Sequence, residues 1–546
     1  MTESRSLNSL LTKWQSAVTD TQNLQPPLSP AQAKSDCHVS NIVEHTGEVS
    51  EGSLFIARVR TGTDGHPYIK QAIERGATVI FGQRDPADLD DPIPSYVRYF
   101  QVSDTAEAAA WLAAAWHDFP GQQLRIIGIT GTNGKTTTSA ILFGILKKAG
   151  LRCGLISTIQ AVFGDKAEST GLHVTTPGAV QLQGYLRRMV DAGLTHCIIE
   201  TTSHGLAQHR VTAIPFELGL ITNITHEHID YHGTFENYLA AKQRLFELVG
   251  QHANGRAILN SDDPHYSKFA QIPVPFQTSY GQMLKPDGRN PDVFAQNQIL
   301  EVSPTQFDLF FPNDASSTPI TTDLLGAFNV SNILCAAAAA HHLGVSKEQI
   351  SQGVADVTEI SGRMEPIDEG QAFKVIVDFA HTPDALEKAI FGANSILDKE
   401  STIPGRIITV FGSAGKRDIE KRRLMAEISA KHAQVTILTA EDPRTEPLND
   451  ILDMMAAGCR SQGAVEGADF WRVPDRGQAI YMALSLATPS DIVLICGKGH
   501  EQSMCFGTTE YPWDDRKAAK AALKAFLHKK PMPPLGLPTE TDLPKI

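Results

Sequence analysis

The chain lacks any run of ~18–20 uninterrupted apolar residues, which excludes a hydrophobic transmembrane helix. Its first residues, Met1-Thr2-Glu3-Ser4-Arg5-Ser6, lack a basic region followed by an apolar stretch, so no secretory leader is expected. No C-x-x-C pair occurs. The seven cysteines, at 37, 153, 197, 335, 459, 496 and 505, are scattered and odd in number, which points to reduced thiols and away from a disulfide frame or a cysteine zinc site. Positive charge is in deficit: 48 basic residues against 61 acidic ones leave −13, arguing against a nucleic-acid-coating or polybasic membrane protein. A local basic pocket for an anionic substrate stays open. Repeats and low-complexity segments are missing too. What is present, 42% hydrophobic and 20% charged residues over 546 positions, is enough for packed cores in about three domains.

The alternation of short apolar runs with helical patterns makes this an α/β chain. A small α/β N-terminal domain is expected over 1–120, with Gly52-Ser53-Leu54-Phe55-Ile56-Ala57, a helix near Tyr68–Arg75 and the strand Thr78–Phe81. A central P-loop ATPase domain is expected over 121–360 and a doubly wound C-terminal domain over 361–546. The C-terminal strands are Val375–Val377, Ile407–Phe411, Val435–Leu438 and Ile492–Cys496. Residues 1–35 and the Pro-rich tail from about 530 read as poorly packed, disordered ends.

One stretch carries the most chemistry. Ile126-Ile127-Gly128-Ile129-Thr130 is a buried strand, Gly131-Thr132-Asn133-Gly134 a glycine turn, and Lys135-Thr136-Thr137 leads into a helix read as Ser139–Lys148. That order brings backbone N–H groups, a helix N-terminus and a lysine to one point, which suits nucleotide phosphates. Thr136 or Thr137 adds a hydroxyl for Mg²⁺. Ile129 stands where the usual P-loop has its first glycine.

Polar clusters follow other strands. Glu200-Thr201-Thr202-Ser203-His204-Gly205 follows Cys197–Ile199, and a loop holding His226, Glu227, His228, Asp230 and His232 follows Leu218–Ile221. The histidine loop admits a zinc site, a Mg²⁺ site served by Glu200 and His228, or a polar loop with satisfied imidazoles. Lys242 reads as a solvated helical lysine. In the last third, Gly362-Arg363, Asp378 to Pro383, Gly412 to Asp418 and Gly497-Lys498-Gly499-His500-Glu501 mark strand-end turns, suggesting a cleft that closes between two domains.

In order over about residues 39–525, these residues resemble the Mur ligases, ATP-dependent amide-forming enzymes of peptidoglycan synthesis, and among them the branch adding the third amino acid. Gly131 to Thr137 resembles the family's ATP loop. Thr175-Thr176-Pro177, Ser203 to Arg210, Asp230-Tyr231-His232-Gly233 and His381-Thr382-Pro383-Asp384 resemble that branch. The resemblance implies three domains, ATP and Mg²⁺ as cofactors, a UDP-N-acetylmuramoyl dipeptide and a diamino acid as substrates, and a monomer in the bacterial cytoplasm. A substrate carboxylate would attack the γ-phosphate of ATP, and the amine would then displace phosphate from the acyl phosphate. Lys135 would hold the β,γ-phosphates. Thr136, Glu200, His228 and a carbamylated Lys242 would serve Mg²⁺. Asn332, Arg363 and Asp378 would hold the nucleotide, and Thr175, Thr176, Thr202, Gln208 and Arg210 the muramoyl dipeptide. Arg417, Gly497 and Glu501 would meet the incoming amino acid.

Two departures stand out. The family's Asp-Ser-Arg near the uridine is here His45-Thr46-Gly47, so its arginine is missing and Thr46 stands in for serine. Diaminopimelate-specific members carry Asp-Asn-Pro-Arg where this chain has Glu441-Asp442-Pro443-Arg444. Arg444 favours the second carboxylate of meso-diaminopimelate. Asp442 adds a negative charge that suits a bare ammonium, so L-lysine and L-ornithine stay open. A non-catalytic nucleotide-binding regulator on the same fold is the reading from a different class.

Overall fold

The computed structural model describes residues 4–19, 36–60, 62–170, 175–283, 290–300, 304–312, 316–397 and 404–539. Three sheets organise them. The first runs Ile42–Val43, Ser53–Ile56, Ala77–Gly82, Arg98–Gln101, all parallel. The helix Thr105–Trp116, capped by the Asp104 carboxylate, packs on it.

The central sheet has eleven strands. Arg125–Thr130 lies between His196–Glu200 and Phe216–Ile221, parallel to both, so the crevice at its carboxyl end is a topological switch point. Its apolar residues alternate: Ile127 and Ile129 join Ile141, Ile145, Ile333 and Ile350 on one face, Ile126 joins Leu182, Leu186, Leu245 and Phe246 on the other. Burial on both faces explains why this strand reads as one continuous apolar run.

The third sheet runs Glu365–Pro366, Lys374–Asp378, Ile492–Cys496, Ile407–Phe411, Val435–Leu438, Phe470–Arg472 and is parallel beyond its first strand. Helices Pro383–Ser395, Glu420–His432 and Leu448–Ser461 cover one face, Arg476–Leu486 and Asp515–Leu527 the other. The doubly wound expectation holds.

Both ends are better packed than the sequence reading has them. Leu7–Thr19 is a helix whose Leu7, Leu10, Leu11, Trp14 and Val18 are buried against Thr105–Trp116. At the other end Met532 and Leu537 are buried in the C-terminal core, and the Thr539 hydroxyl donates to Asp475 at 3.0 Å. Apolar side chains spaced through a Pro-rich strap can dock without forming an element, which composition alone does not reveal. Residues 20–35 and 540–546 lie outside the described residues.

Candidate functional site

The glycine turn is shaped by its neighbours. Gly131 has φ +142°, and a Cβ there would lie 1.9 Å from the Thr222 hydroxyl. Gly134 has φ +84°, and its Cβ would meet the Asn332 side-chain oxygen at 2.4 Å. Both positions therefore need glycine. The helix begins at Lys135, four residues before the Ser139 expected, because Thr136–Thr138 stay helical despite their branching. Gly134 supplies no side-chain cap, so the first-turn amides face the crevice unclaimed by a side chain. Thr132 is held by the Tyr238 hydroxyl at 2.8 Å, and the Asn133 amide donates to Asn223 at 3.0 Å.

Four cationic or imidazole groups crowd this turn. Lys135 donates to the Gly131 and Thr132 carbonyls, both at 2.9 Å, and burial pulls its pKa down to about 8. Lys242, read from sequence as solvated, is 2% exposed and donates to the Gly131 carbonyl at 2.7 Å. Burial, then the Lys135 charge, pushes its pKa well below that of an ordinary lysine. His228 sits at φ +57°, and burial drives its pKa far down as well. His204 stacks edge-on at 4.7 Å from it, burial bringing its pKa to about 4. The histidine rings thus pack on one another and on Tyr231, and among the described residues no three His, Cys, Asp or Glu side chains gather as a metal cluster. The zinc reading finds no support there.

Glu200 is fully buried and accepts hydrogen bonds from Thr136 at 3.0 Å, Ser139 at 3.0 Å and Thr158 at 2.9 Å. The Thr136 hydroxyl and the Glu200 carboxylate are oxygen donors of the kind Mg²⁺ takes, to which the His228 imidazole would add a nitrogen. Burial favours the uncharged form of Lys242, whose lone pair is what carbamylation needs.

Beside the turn lie two cavities of about 240 Å³ each that share Asn133, Gly134, Arg363, Phe379 and His381. Thr137, Asn332 and Asp378 line one. Asn332 accepts from Thr138 at 3.3 Å, and Asp378 accepts from the Met364 and Ala380 amides, both at 2.7 Å. Arg363 lies 4.6 Å from the Phe379 ring centroid, donates to Thr136 at 3.2 Å and leaves its buried Nε unpartnered. The other cavity gathers Thr132, Lys135, Thr136, Thr175, Thr202, His228, Arg417, Asp442, Arg444, Gly497 and Glu501. Loops from the carboxyl ends of two sheets therefore face each other. Asn133 donates to Asp384 across the cleft at 2.8 Å, and Arg417 approaches Asp230 at 3.9 Å.

The remaining expected residues form a lattice at its edge. Thr176 donates to the Glu200 carbonyl at 2.8 Å, Arg210 donates to the Thr176 carbonyl at 2.5 Å and to Gln208 at 2.7 Å, and Gln208 donates to Tyr231 at 3.0 Å. The Thr202 hydroxyl caps the short helix Ser203–Ala207. Thr46 lines neither cavity; it sits in the turn Thr46–Glu48, its carbonyl taking a hydrogen bond from Arg75 at 2.6 Å.

Sequence reasoning gave no role to Thr158, Lys421, Glu227, Arg58 and Glu441, of which it named only Glu227 and Glu441. Arg58, buried and paired with Glu44 at 2.7 Å, reaches the Gln208 carbonyl at 3.2 Å beside Arg210. Asp442 also differs from its expected use. Its carboxylate accepts from the fully buried Lys498 at 3.0 Å and from the Cys505 amide at 2.9 Å, so it is engaged inside the protein.

The sequence matches models described as Mur ligase family, catalytic domain (residues 38–117), Mur ligase middle domain (129–340) and Mur ligase, glutamate ligase domain (362–499). A UDP-N-acetylmuramyl-tripeptide synthetase from a Roseiflexus species is 37% identical, with 91% of this chain and 96% of that protein covered. The chain belongs to the Mur ligase family. A UDP-N-acetylmuramoyl-L-alanyl-D-glutamate–2,6-diaminopimelate ligase from Geobacillus kaustophilus is 38% identical over 87% of this chain and 93% of its own. A solved structure of a ligase with that same name aligns at TM-score 0.61 and 26% identity, covering 94% of this chain and 99% of that one. Among the described residues no helix is long and apolar enough to cross a membrane.

Proposed function

We propose that this Mur ligase joins a diamino acid, meso-diaminopimelate by preference, to UDP-N-acetylmuramoyl-L-alanyl-D-glutamate at the cost of ATP, in the bacterial cytoplasm. The observation that carries the reading is the cavity that puts the Gly131–Gly134 turn, Lys135 and His228 opposite Arg417, Arg444 and Glu501. One side suits a nucleotide's γ-phosphate and the other an amino acid, with room between them for the carboxylate to be activated.

Lys135 leaves its two carbonyls and grips the β,γ-phosphates. Asn332, Arg363 and Asp378 hold the nucleotide in the adjoining cavity. Thr136, Glu200, His228 and a carbamylated Lys242 are the residues that would hold Mg²⁺, and the ion would supply neutralisation of phosphate charge. Thr175, Thr176, Thr202, Gln208 and Arg210 align the dipeptide, and the N-terminal domain takes the UDP end near Thr46. The rate enhancement comes from positioning and charge neutralisation.

The diaminopimelate preference rests on charge. Among the described residues no carboxylate lies within ion-pair distance of Arg444, while the Asp442 carboxylate is engaged by Lys498 and the Cys505 amide. Arg444 thus stands open to the second carboxylate of meso-diaminopimelate. Phosphate release with ATP, the UDP-dipeptide and meso-diaminopimelate, L-lysine or L-ornithine side by side tests both levels. Release with none of them refutes the ligase; a strong preference for L-lysine or L-ornithine refutes the choice of amino acid.

A further inference from the structure

An amine entering this cavity at neutral pH carries three N–H bonds and no lone pair. It must give up a proton before it can attack an acyl carbon. Four carboxylates line the C-terminal wall, Asp418, Glu441, Asp442 and Glu501, of which Asp418 accepts from the Glu420 amide at 3.0 Å. Two of them share one partner, since Lys498 lies 3.0 Å from Asp442 and 2.5 Å from Glu501.

Glu441 differs. It is 6% exposed, and its Oε2 has no hydrogen-bond partner. A buried acceptor left unpaired is costly and calls for an explanation. The backbone is cut to fit it: a Cβ on Gly497, at φ +111°, would lie 2.4 Å from Glu441 Oε2, and one on Gly412 would lie 2.7 Å from Glu441 Cβ. Burial pushes the Glu441 pKa up to about 7, against the pull of Lys421, Arg476 and Lys498 and with a push from Asp442. Arg476 is itself spent on Asp515, through two hydrogen bonds at 2.7 Å.

We propose that Glu441 is the general base that takes a proton from the incoming amine. The assignment rests on the ligase reading above. The carboxylate accepts one proton from the ammonium and becomes a carboxylic acid. The freed lone pair forms the C–N bond to the acyl-phosphate carbon, and the carbonyl π pair moves to oxygen. That pair returns as the C–O bond to phosphate breaks. The nitrogen's surplus proton leaves with the phosphate as hydrogen phosphate, and Glu441 releases its own to water. A base poised near the working pH is matched to such a transfer.

The test compares two nucleophiles in Glu441→Gln and Glu441→Asp, with ATP and the UDP-dipeptide at pH 7.5. Hydroxylamine is uncharged there and needs no base, whereas meso-diaminopimelate does. Glu441→Gln should form the amide about 10²-fold more slowly yet form the hydroxamate within about twofold of the wild-type rate. Glu441→Asp should recover part of the loss, and the acid limb near pH 7 in the wild-type kcat profile should vanish in Glu441→Gln. Amide formation at the wild-type rate, or hydroxamate formation falling in step with it, overturns the assignment. A wild-type enzyme that makes no hydroxamate refutes the ligase reading itself, which separates the two failures.

Discussion

Lys242 and Lys498 are both buried, and they lie in the loops and helices on opposite sides of one cleft. Their surroundings shift their pKa values in opposite directions. Lys242 comes from the helix Phe235–Gly250, has no carboxylate within ion-pair distance among the described residues, and feels Lys135; its proton is easily lost. Lys498 is wedged between Asp442 and Glu501, whose charges outweigh burial and hold its pKa above that of an ordinary lysine. Burial alone therefore says nothing about protonation; the partners decide it. One lysine is left reactive and the other locks two acidic loops together.

The comparison breaks most visibly at Lys498. Lys498→Met should cost about 3–5 kcal/mol of stability by leaving the buried Asp442 and the part-buried Glu501 without their cation, whereas Lys242→Met should cost under about 1 kcal/mol. Thermal unfolding of the two variants checks this, and equal losses would erase the distinction. Activity should order them the other way. Lys242→Ala should lower kcat by about 10²–10³-fold and be partly rescued by short-chain carboxylates standing in for the carbamate; full activity without rescue would end the carbamate assignment. Arg444→Ala should raise KM for meso-diaminopimelate about 30-fold through loss of a charged hydrogen-bonded pair, with little change in KM for ATP.

The smallest effect is a slope. The pKa of Lys135 is about 8 in the fold against an ordinary 10.5, so between those values the unfolded chain binds more protons. Stability should therefore rise with pH across that window. Replacing Lys135 by Met should flatten the rise, measured as Tm against pH. An unchanged slope would mean that the lysine is not desolvated in solution.

Much of this site was legible because its loops follow apolar strands. Val435–Leu438 and Ile492–Cys496 start and end where the runs do, since strands buried on both faces are nearly all apolar, Thr436 being tolerated with its hydroxyl bonded to Ser429 at 2.7 Å. The glycine turn was legible for the same reason, whereas the role of Arg363 came only from the resemblance. Lys242 was misread as solvated although it lies in the same stripe as Tyr238, Leu245, Phe246 and Val249, a helical spacing that could have flagged it. The stripe Leu7, Leu10, Leu11, Trp14 and Val18 carried the same signal at the N-terminus. Glu441 offered only its place after an apolar strand end. The Asp442–Lys498 pair offered no sign at all, because the partners come from separate strand-end loops that only the parallel sheet makes neighbours.

The sequence by itself determined the α/β class, the strand-turn-helix that cradles phosphate and the family to which the chain belongs. These depend on local order: apolar periodicity, glycine at φ values other residues avoid, and a lysine placed by a helix start. Only the tertiary structure decided which charges are paired. That Lys498 engages Asp442, that Lys242 stands unpaired beside Lys135 and that Glu441 keeps an unbonded oxygen in the cavity wall follow from which strand ends meet across the cleft. Electrostatic energy depends on distance and burial in three dimensions, which residue order does not encode locally.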